Sequence, residues 1–211
     1  MGKSQCYSSN QLFLKLRKKY YTDSGYFKLI AMKKINYIFF PFIIWIFYTG
    51  NIDGQSTTKV QWYTIEEAEA LAKKNPKKIM IDVYTDWCGW CKKMDSETFT
   101  HPVIAEIINK NYYAVKLNAE SKENITFKGY TYKYVNQGGR GYHELAAGLL
   151  NGRLSFPSIA YLNERLELLG AIPGYYRPAD IEPLLKYIAE DKFLIQSLEE
   201  YKQTFESQIT Q

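Results

Sequence analysis

The sequence predicts an α/β domain over residues 55–211, and three observations predict it. Short runs of β-forming apolar residues at 79–84, 112–117 and 159–162 alternate with segments of helical pattern. Thr64-Ile-Glu-Glu67 has the spacing of a capping box that opens a helix. A strand, a short turn at Thr85-Asp86 and a helix that opens on Cys88-Gly-Trp-Cys91 follow one another without a break.

In chain order, residues 60–63 form a short first strand, and Thr64 caps a helix from Ile65 to about Lys74 that Asn75-Pro76 ends. Strand 79–84 leads through the turn into a helix running from Cys88 towards Phe99. Thr100-His101-Pro102 interrupts it, and a second helical stretch at 103–109 precedes strand 112–117. Between 125 and 135 the aromatics Phe127, Tyr130, Tyr132 and Tyr134 alternate around Gly129, which predicts a small hairpin. Asn136-Gln-Gly-Gly-Arg-Gly141 reads as a flexible loop, and 142–150 as helical. Residues 159–162 and 166–169, joined by Asn163-Glu-Arg165, form a hairpin at the sheet edge. Pro178 opens a last long helix, with Pro183 an early irregularity. Leu194, Leu198, Tyr201, Phe205 and Ile209 recur at steps of three and four, an amphipathic end expected to pack on its own domain.

The chemistry concentrates in the cysteines. Of three in the chain, Cys6 lies in the leader and only Cys88 and Cys91 belong to the domain, too few for a disulfide scaffold. Cysteines three apart at a helix start share one face, close enough for their sulfurs to bond. Unpaired backbone N–H groups at the helix start favour negative charge on the first sulfur, which makes Cys88 the attacking thiolate and the more exposed of the two.

Trp87-Cys88-Gly89-Trp90-Cys91-Lys92 resembles the active site of the thioredoxin superfamily. Asp82, six residues before Cys88, lies where that family carries a buried acid. Lys116-Leu117-Asn118 resembles its next central strand, whose lysine lies near the acid. Phe156-Pro157-Ser158 resembles the cis-proline segment that faces the cysteines, and Gly174 fits the turn before the last helix. The resemblance covers roughly residues 60–190 and is greatest to exported bacterial members, including the C-terminal domain group of DsbD. The inner Gly89-Trp90 departs from the family's common Gly-Pro.

The resemblance implies a thioredoxin fold, a central mixed sheet flanked by helices, with an insertion at about 119–156 before the cis-proline and a C-terminal helical extension. It implies a thiol-disulfide oxidoreductase that needs no cofactor and takes disulfide-containing proteins as substrates. Cys88 attacks and Cys91 resolves. Asp82 serves as proton acceptor for Cys91, its pKa raised by burial among Ile81, Val83 and their neighbours, and Lys116 modulates that charge. Trp87 and Trp90 form an apolar rim, while Phe156 and Pro157 bind substrate. The Asp82/Lys116 pair resembles reducing members, so the expected direction is reduction, supported by a membrane electron donor of the DsbD kind. An oxidase or isomerase is the alternative direction. The insertion is either a wall that selects partners or an elaboration that covers a sheet edge.

Two other classes compete. Cys88, Cys91, His101 and His143 would number four zinc ligands. Their segments are separate, however, and His143 reads as a partly exposed helical residue. A non-catalytic binding module on the same fold need not keep both cysteines.

Charge and leader set the compartment. The formal net charge is +5, but residues 1–54 hold 8 of the 27 basic and 2 of the 22 acidic residues, which leaves the domain near −1. Nucleic-acid binding therefore has little support. Met32-Lys-Lys before the apolar run 37–48 has the layout of a secretory signal, with Met32 as the true start and Gly50 or Gly54 near the cleavage point. The uncharged stretch 35–52 also admits an uncleaved membrane anchor. Either places the domain outside the cytoplasm, in the periplasm or cell envelope.

Overall fold

The computed structural model describes residues 59–136 and 138–209. The leader, with Met32, the signal or anchor segment and Cys6, lies outside the described residues.

Local chemistry sets the first elements where the sequence predicts them. After β1 (Trp62–Tyr63), the Thr64 side chain accepts from Glu67 N and the Glu67 carboxylate accepts from Thr64 N, which starts α1 (Ile65–Lys74). β2 (Lys78–Tyr84) leads into α2 (Gly89–Glu97), whose N-cap is Cys88. Pro102 opens α3 (Pro102–Asn111), and β3 (Tyr112–Asn118) follows directly.

β2 lies at the centre of a five-stranded mixed sheet of order β1-β3-β2-β8-β9, with β8 at Ser158–Leu162 and β9 at Leu168–Pro173. β1 and β2 run parallel to β3, while β8 runs antiparallel to both β2 and β9. Period-two alternation sends β2 side chains to opposite layers. Ile79, Ile81 and Val83 pack with α1 and with α4 (Glu144–Leu149). Met80 faces the other layer, built from α2, α3 and α5 (Pro178–Ala189). Both faces are covered, so β2 reads as an almost unbroken apolar run. Asp82 interrupts the run between Ile81 and Val83 and is buried, as is Lys78 at the start of the strand.

The segment between β3 and β8 is more ordered than its sequence suggests. β4 (Ile125–Phe127) and β5 (Tyr130–Tyr132) form the expected hairpin, with Lys128 and Gly129 both at positive φ in its turn. It docks on α1, because Thr126 N donates to Glu66 and Lys128 N to Glu69. A second pairing was not expected. β6 (Tyr134–Val135) pairs antiparallel with β7 (Tyr142–His143), so the predicted helix begins only at Glu144. His143 is not a partly exposed helical residue. It is fully buried, its Nδ1 accepts from Leu145 N to cap α4, and its Nε2 lies 3.1 Å from Glu123 O. The loop between the strands passes close over Tyr134. A Cβ at Gly141 would lie 2.6 Å from Val135 O and overlap the Tyr134 ring, so only glycine fits there.

β1 starts at Trp62 rather than at residue 60, α2 ends at Glu97 short of Phe99, and two later segments also differ from expectation. The β8–β9 turn is longer, because Asn163 Oδ1 accepts from both Arg165 N and Glu167 N and Leu166 takes positive φ. That delays β9 to Leu168, and Gly174 N donating to Pro157 O closes its far end. The C-terminal amphipathic segment is broken in two, a 3-10 turn at Lys192–Leu194 and α6 (Leu198–Thr204), separated by the Ser197/Glu200 capping box. Its apolar residues do pack on the domain, with Leu198 and Tyr201 buried against the α5 layer. Pro183 lies inside α5 without ending it.

Candidate active site

The site forms where β2 ends and α2 begins. Cys88 N donates to Thr85 O, which closes the turn, and Cys91 N donates to Cys88 Sγ at 3.1 Å. The two sulfurs are bonded, 2.08 Å apart. Both residues are buried, Cys88 at 5% exposure and Cys91 at 2%, so Cys88 is the more exposed by only a narrow margin. Pro157, buried and joined to Phe156 by a cis peptide bond, begins the approach to β8.

Beneath the disulfide lies a charge network. Asp82 is opposite Lys116 in the β2–β3 register, and Lys116 Nζ donates to Asp82 Oδ2 at 2.7 Å. The same ammonium donates to Asp95 on α2. Asp95 follows Cys91 by four residues, one turn along the same helix face, so the network runs under the cysteine-bearing turn. Burial pushes the Asp82 carboxyl up to about 6 against the opposing pull of Lys116, and the charge of Asp95 adds to the rise. Burial would lower the Lys116 ammonium, but Asp82 and Asp95 outweigh it and hold it raised. Asp82 Oδ1 has no hydrogen-bond partner among the described residues, which leaves one carboxylate oxygen open to a proton.

Aromatic side chains rim the disulfide. Trp87 and Trp90 are 52% and 58% exposed, far more than a packing role would allow. Trp87 meets Phe156 edge-to-face at 6.1 Å, and its Nε1–H donates to Glu120 Oε1 at 3.0 Å. Arg140 lies over the Trp87 ring at 4.4 Å. On the other side Trp90 packs at 5.3 Å on Tyr175, whose hydroxyl donates to Glu97, and Lys93 lies over both rings.

All eight residues singled out from the sequence therefore converge on one end of the sheet: Cys88, Cys91, Asp82, Lys116, Trp87, Trp90, Phe156 and Pro157. Sequence reasoning missed Asp95, Glu120, Arg140 and Tyr175. Asp95 carried a usable signal, its four-residue spacing from Cys91. The other three reach the site through loops and had none. The proposed zinc set does not assemble. The sulfurs bond each other, both ring nitrogens of His143 are engaged within its own segment, and His101 sits at the start of α3. Among the described residues no cluster of three or more His, Cys, Asp or Glu could hold a metal ion.

Residues 65–189, more than half of the chain, match the family model for a thioredoxin-like domain. A stretch of 84 residues, 39% of the chain, is 30% identical to Spermatogenesis-associated protein 20 of Rattus norvegicus. A stretch of 64 residues, 28% of the chain, is 34% identical to the thiol:disulfide interchange protein DsbD of Vibrio vulnificus strain CMCP6. Either match takes in only 11% of the relative's own length. Among solved structures, a DsbH oxidoreductase is 16% identical with a TM-score of 0.46, the alignment covering 71% of this chain and 94% of that one.

Proposed function

The chain belongs to the family of thioredoxin-like domains, and from that premise we propose that it is a thiol-disulfide oxidoreductase that reduces protein disulfides outside the cytoplasm. The observation that carries the reading is the Cys88–Cys91 disulfide, closed at the start of α2, the helix whose Asp95 shares Lys116 with the buried Asp82. A structural disulfide needs no buried acid with an elevated pKa beneath it. A dithiol that must lose two protons in turn does.

In the reduced protein the Cys91 N–H and the helix start favour a thiolate on Cys88. That thiolate attacks one sulfur of a substrate disulfide. The substrate S–S bond breaks, its other sulfur leaves as a thiolate that takes a proton from water, and Cys88 becomes joined to the substrate. Cys91 then passes its proton to the open oxygen of Asp82 and attacks Cys88 Sγ. The mixed disulfide breaks, the second substrate sulfur leaves as a thiolate that takes a proton from water, Asp82 gives its proton back to water, and the Cys88–Cys91 bond forms. Two electrons move from the pair to the substrate, so each turnover requires an external dithiol donor. A membrane protein of the DsbD kind suits that role.

Two features support the direction and the place. The Asp82–Lys116 pair, joined at 2.7 Å, resembles that of reducing members and supports the direction. The positive segment ahead of the apolar run 37–48 supports export. The test is the reduction potential of the Cys88–Cys91 couple, by equilibration with dithiothreitol or glutathione. A value near or below about −270 mV fits a reductase, and one near about −120 mV makes the protein an oxidase and overturns the direction.

A further inference from the structure

The segment 119–157 contributes something beside the disulfide that the mechanism above does not use. Its loop brings Arg140 onto Trp87, the residue that precedes Cys88. The guanidinium lies over the indole at 4.4 Å, with Nε 3.7 Å from Glu120 Oε1. The same Glu120 oxygen accepts the indole N–H, so one carboxylate fixes both the ring and the cation stacked on it. Gly141, where no side chain fits against Tyr134, holds the loop close to the β6–β7 pair at the next position. Trp87 in turn packs against Phe156, which precedes the cis-proline. Arg140, Trp87 and Phe156 thus form one row along a single side of the disulfide.

From this row we propose that Arg140 is a specificity-determining residue, which favours substrate disulfides whose cysteine is flanked by an acidic side chain. The proposal deepens the thiol-exchange reading and rests on it. The Arg140 side chain is 66% exposed, and apart from the Glu120 contact at Nε its guanidinium makes no hydrogen bond or ion pair among the described residues. A planar guanidinium held against a ring keeps a two-pronged donor edge free for a carboxylate, at little further cost in side-chain entropy. Lys93, on the opposite side, lies over Trp90 and Tyr175, faces Glu97 at 3.9 Å and is 45% exposed. Arg140 has a comparable carboxylate partner in Glu120 but is the more exposed cation, on the side where a substrate chain passing Phe156 would run.

The experiment uses the full chain, kept reduced by dithiothreitol, and two synthetic peptide disulfides that differ only in Glu or Gln beside the attacked cysteine. The readout is the ratio of kcat/KM for the Glu and Gln peptides, in which any general loss of activity cancels. The ratio expected for the unaltered protein at low ionic strength is about fivefold, the upper size for an exposed ion pair, and it shrinks as salt is raised. Arg140→Gln brings the ratio to about one through KM. Glu120→Gln, which keeps an acceptor for the indole N–H but removes the competing charge, raises it. A ratio near one in the unaltered protein, or one that survives Arg140→Gln, overturns the proposal while exchange with the Gln peptide upholds the thiol-exchange reading. If dithiothreitol reduces Cys88–Cys91 but neither peptide is turned over, the thiol-exchange reading fails and this proposal falls with it.

Discussion

Replacing Asp82 by Asn should make the oxidised protein more stable, and increasingly so as pH rises. Asp82 is buried in a central strand, with an ordinary pKa of 3.8 pushed up to about 6. It therefore binds its proton more tightly in the folded protein than in the unfolded chain. The folded state loses stability as pH climbs between those two values, and the whole cost is present above them. The gap corresponds to a cost of about 3 kcal/mol at pH 8 that has fallen below about 1 kcal/mol at pH 4. Asparagine has the same shape and does not titrate, so the stability of Asp82→Asn relative to the unaltered protein should rise by about 2 kcal/mol across that range. The pH-dependent part is the secure part of the comparison. The attraction of Lys116 for the ionised carboxylate is already contained in that value of about 6, and Lys116 keeps Asp95 as its partner in the variant. The assay is urea unfolding of both oxidised proteins at pH 4, 6 and 8, with the same slope required of each pair. A stability difference that stays flat with pH, or that moves against the variant at high pH, would refute the assignment of Asp82 as a buried acid of raised pKa. Activity should move the opposite way, since a lost general base typically costs about a hundredfold or more.

Asp95→Asn removes a charge that helps hold the Asp82 carboxyl high, so the acidic midpoint of the kcat/KM profile should shift to lower pH; an unmoved profile means that the two carboxylates do not communicate. Cys91→Ser should leave Cys88 joined to substrate as a mixed disulfide stable enough to isolate without reductant, whereas Cys88→Ser should capture none; equal capture by both would reassign the nucleophile. Gly141→Ala forces a methyl group against Tyr134 and Val135 O and should cost about 1–3 kcal/mol as overpacking does, read as a lowered urea midpoint. The same variant should raise the exchange rates of amides in the β6–β7 pair before those of the central sheet.

What could be read from the sequence divides according to where the determining contacts lie. α1 and the Cys88 turn were legible because their causes are local. Thr64 and Glu67 satisfy each other three residues apart, and Cys88 caps the helix that carries Cys91. The β6–β7 pair was not legible, because Tyr142 and His143 become a strand only when Tyr134 and Val135 lie beside them across a glycine-rich loop. By local pattern alone Tyr142 to Leu150 is one helix. His143 shows the same limit. It looks exposed because it is polar and begins a helical pattern, but its ring is buried where it caps α4 from the adjoining strand.

The active site follows the same division, and that division says which parts of it define the reaction. The groups placed by sheet register, Asp82 against Lys116 and the cysteines at the end of β2, are the ones the sequence pointed to. They carry the transferable chemistry of proton and electron movement. Asp95, Glu120, Arg140 and Tyr175 arrive from a helix face or from loops, and their positions depend on contacts that the linear order hides. Glu120 and Arg140 do not touch the sulfurs, yet they fix how Trp87 stands beside them. A change in those loop residues can therefore alter which disulfide is accepted without altering how its bond is exchanged. That separation is why the Arg140 variant is read by a ratio of two substrates and the Asp82 variant by its response to pH.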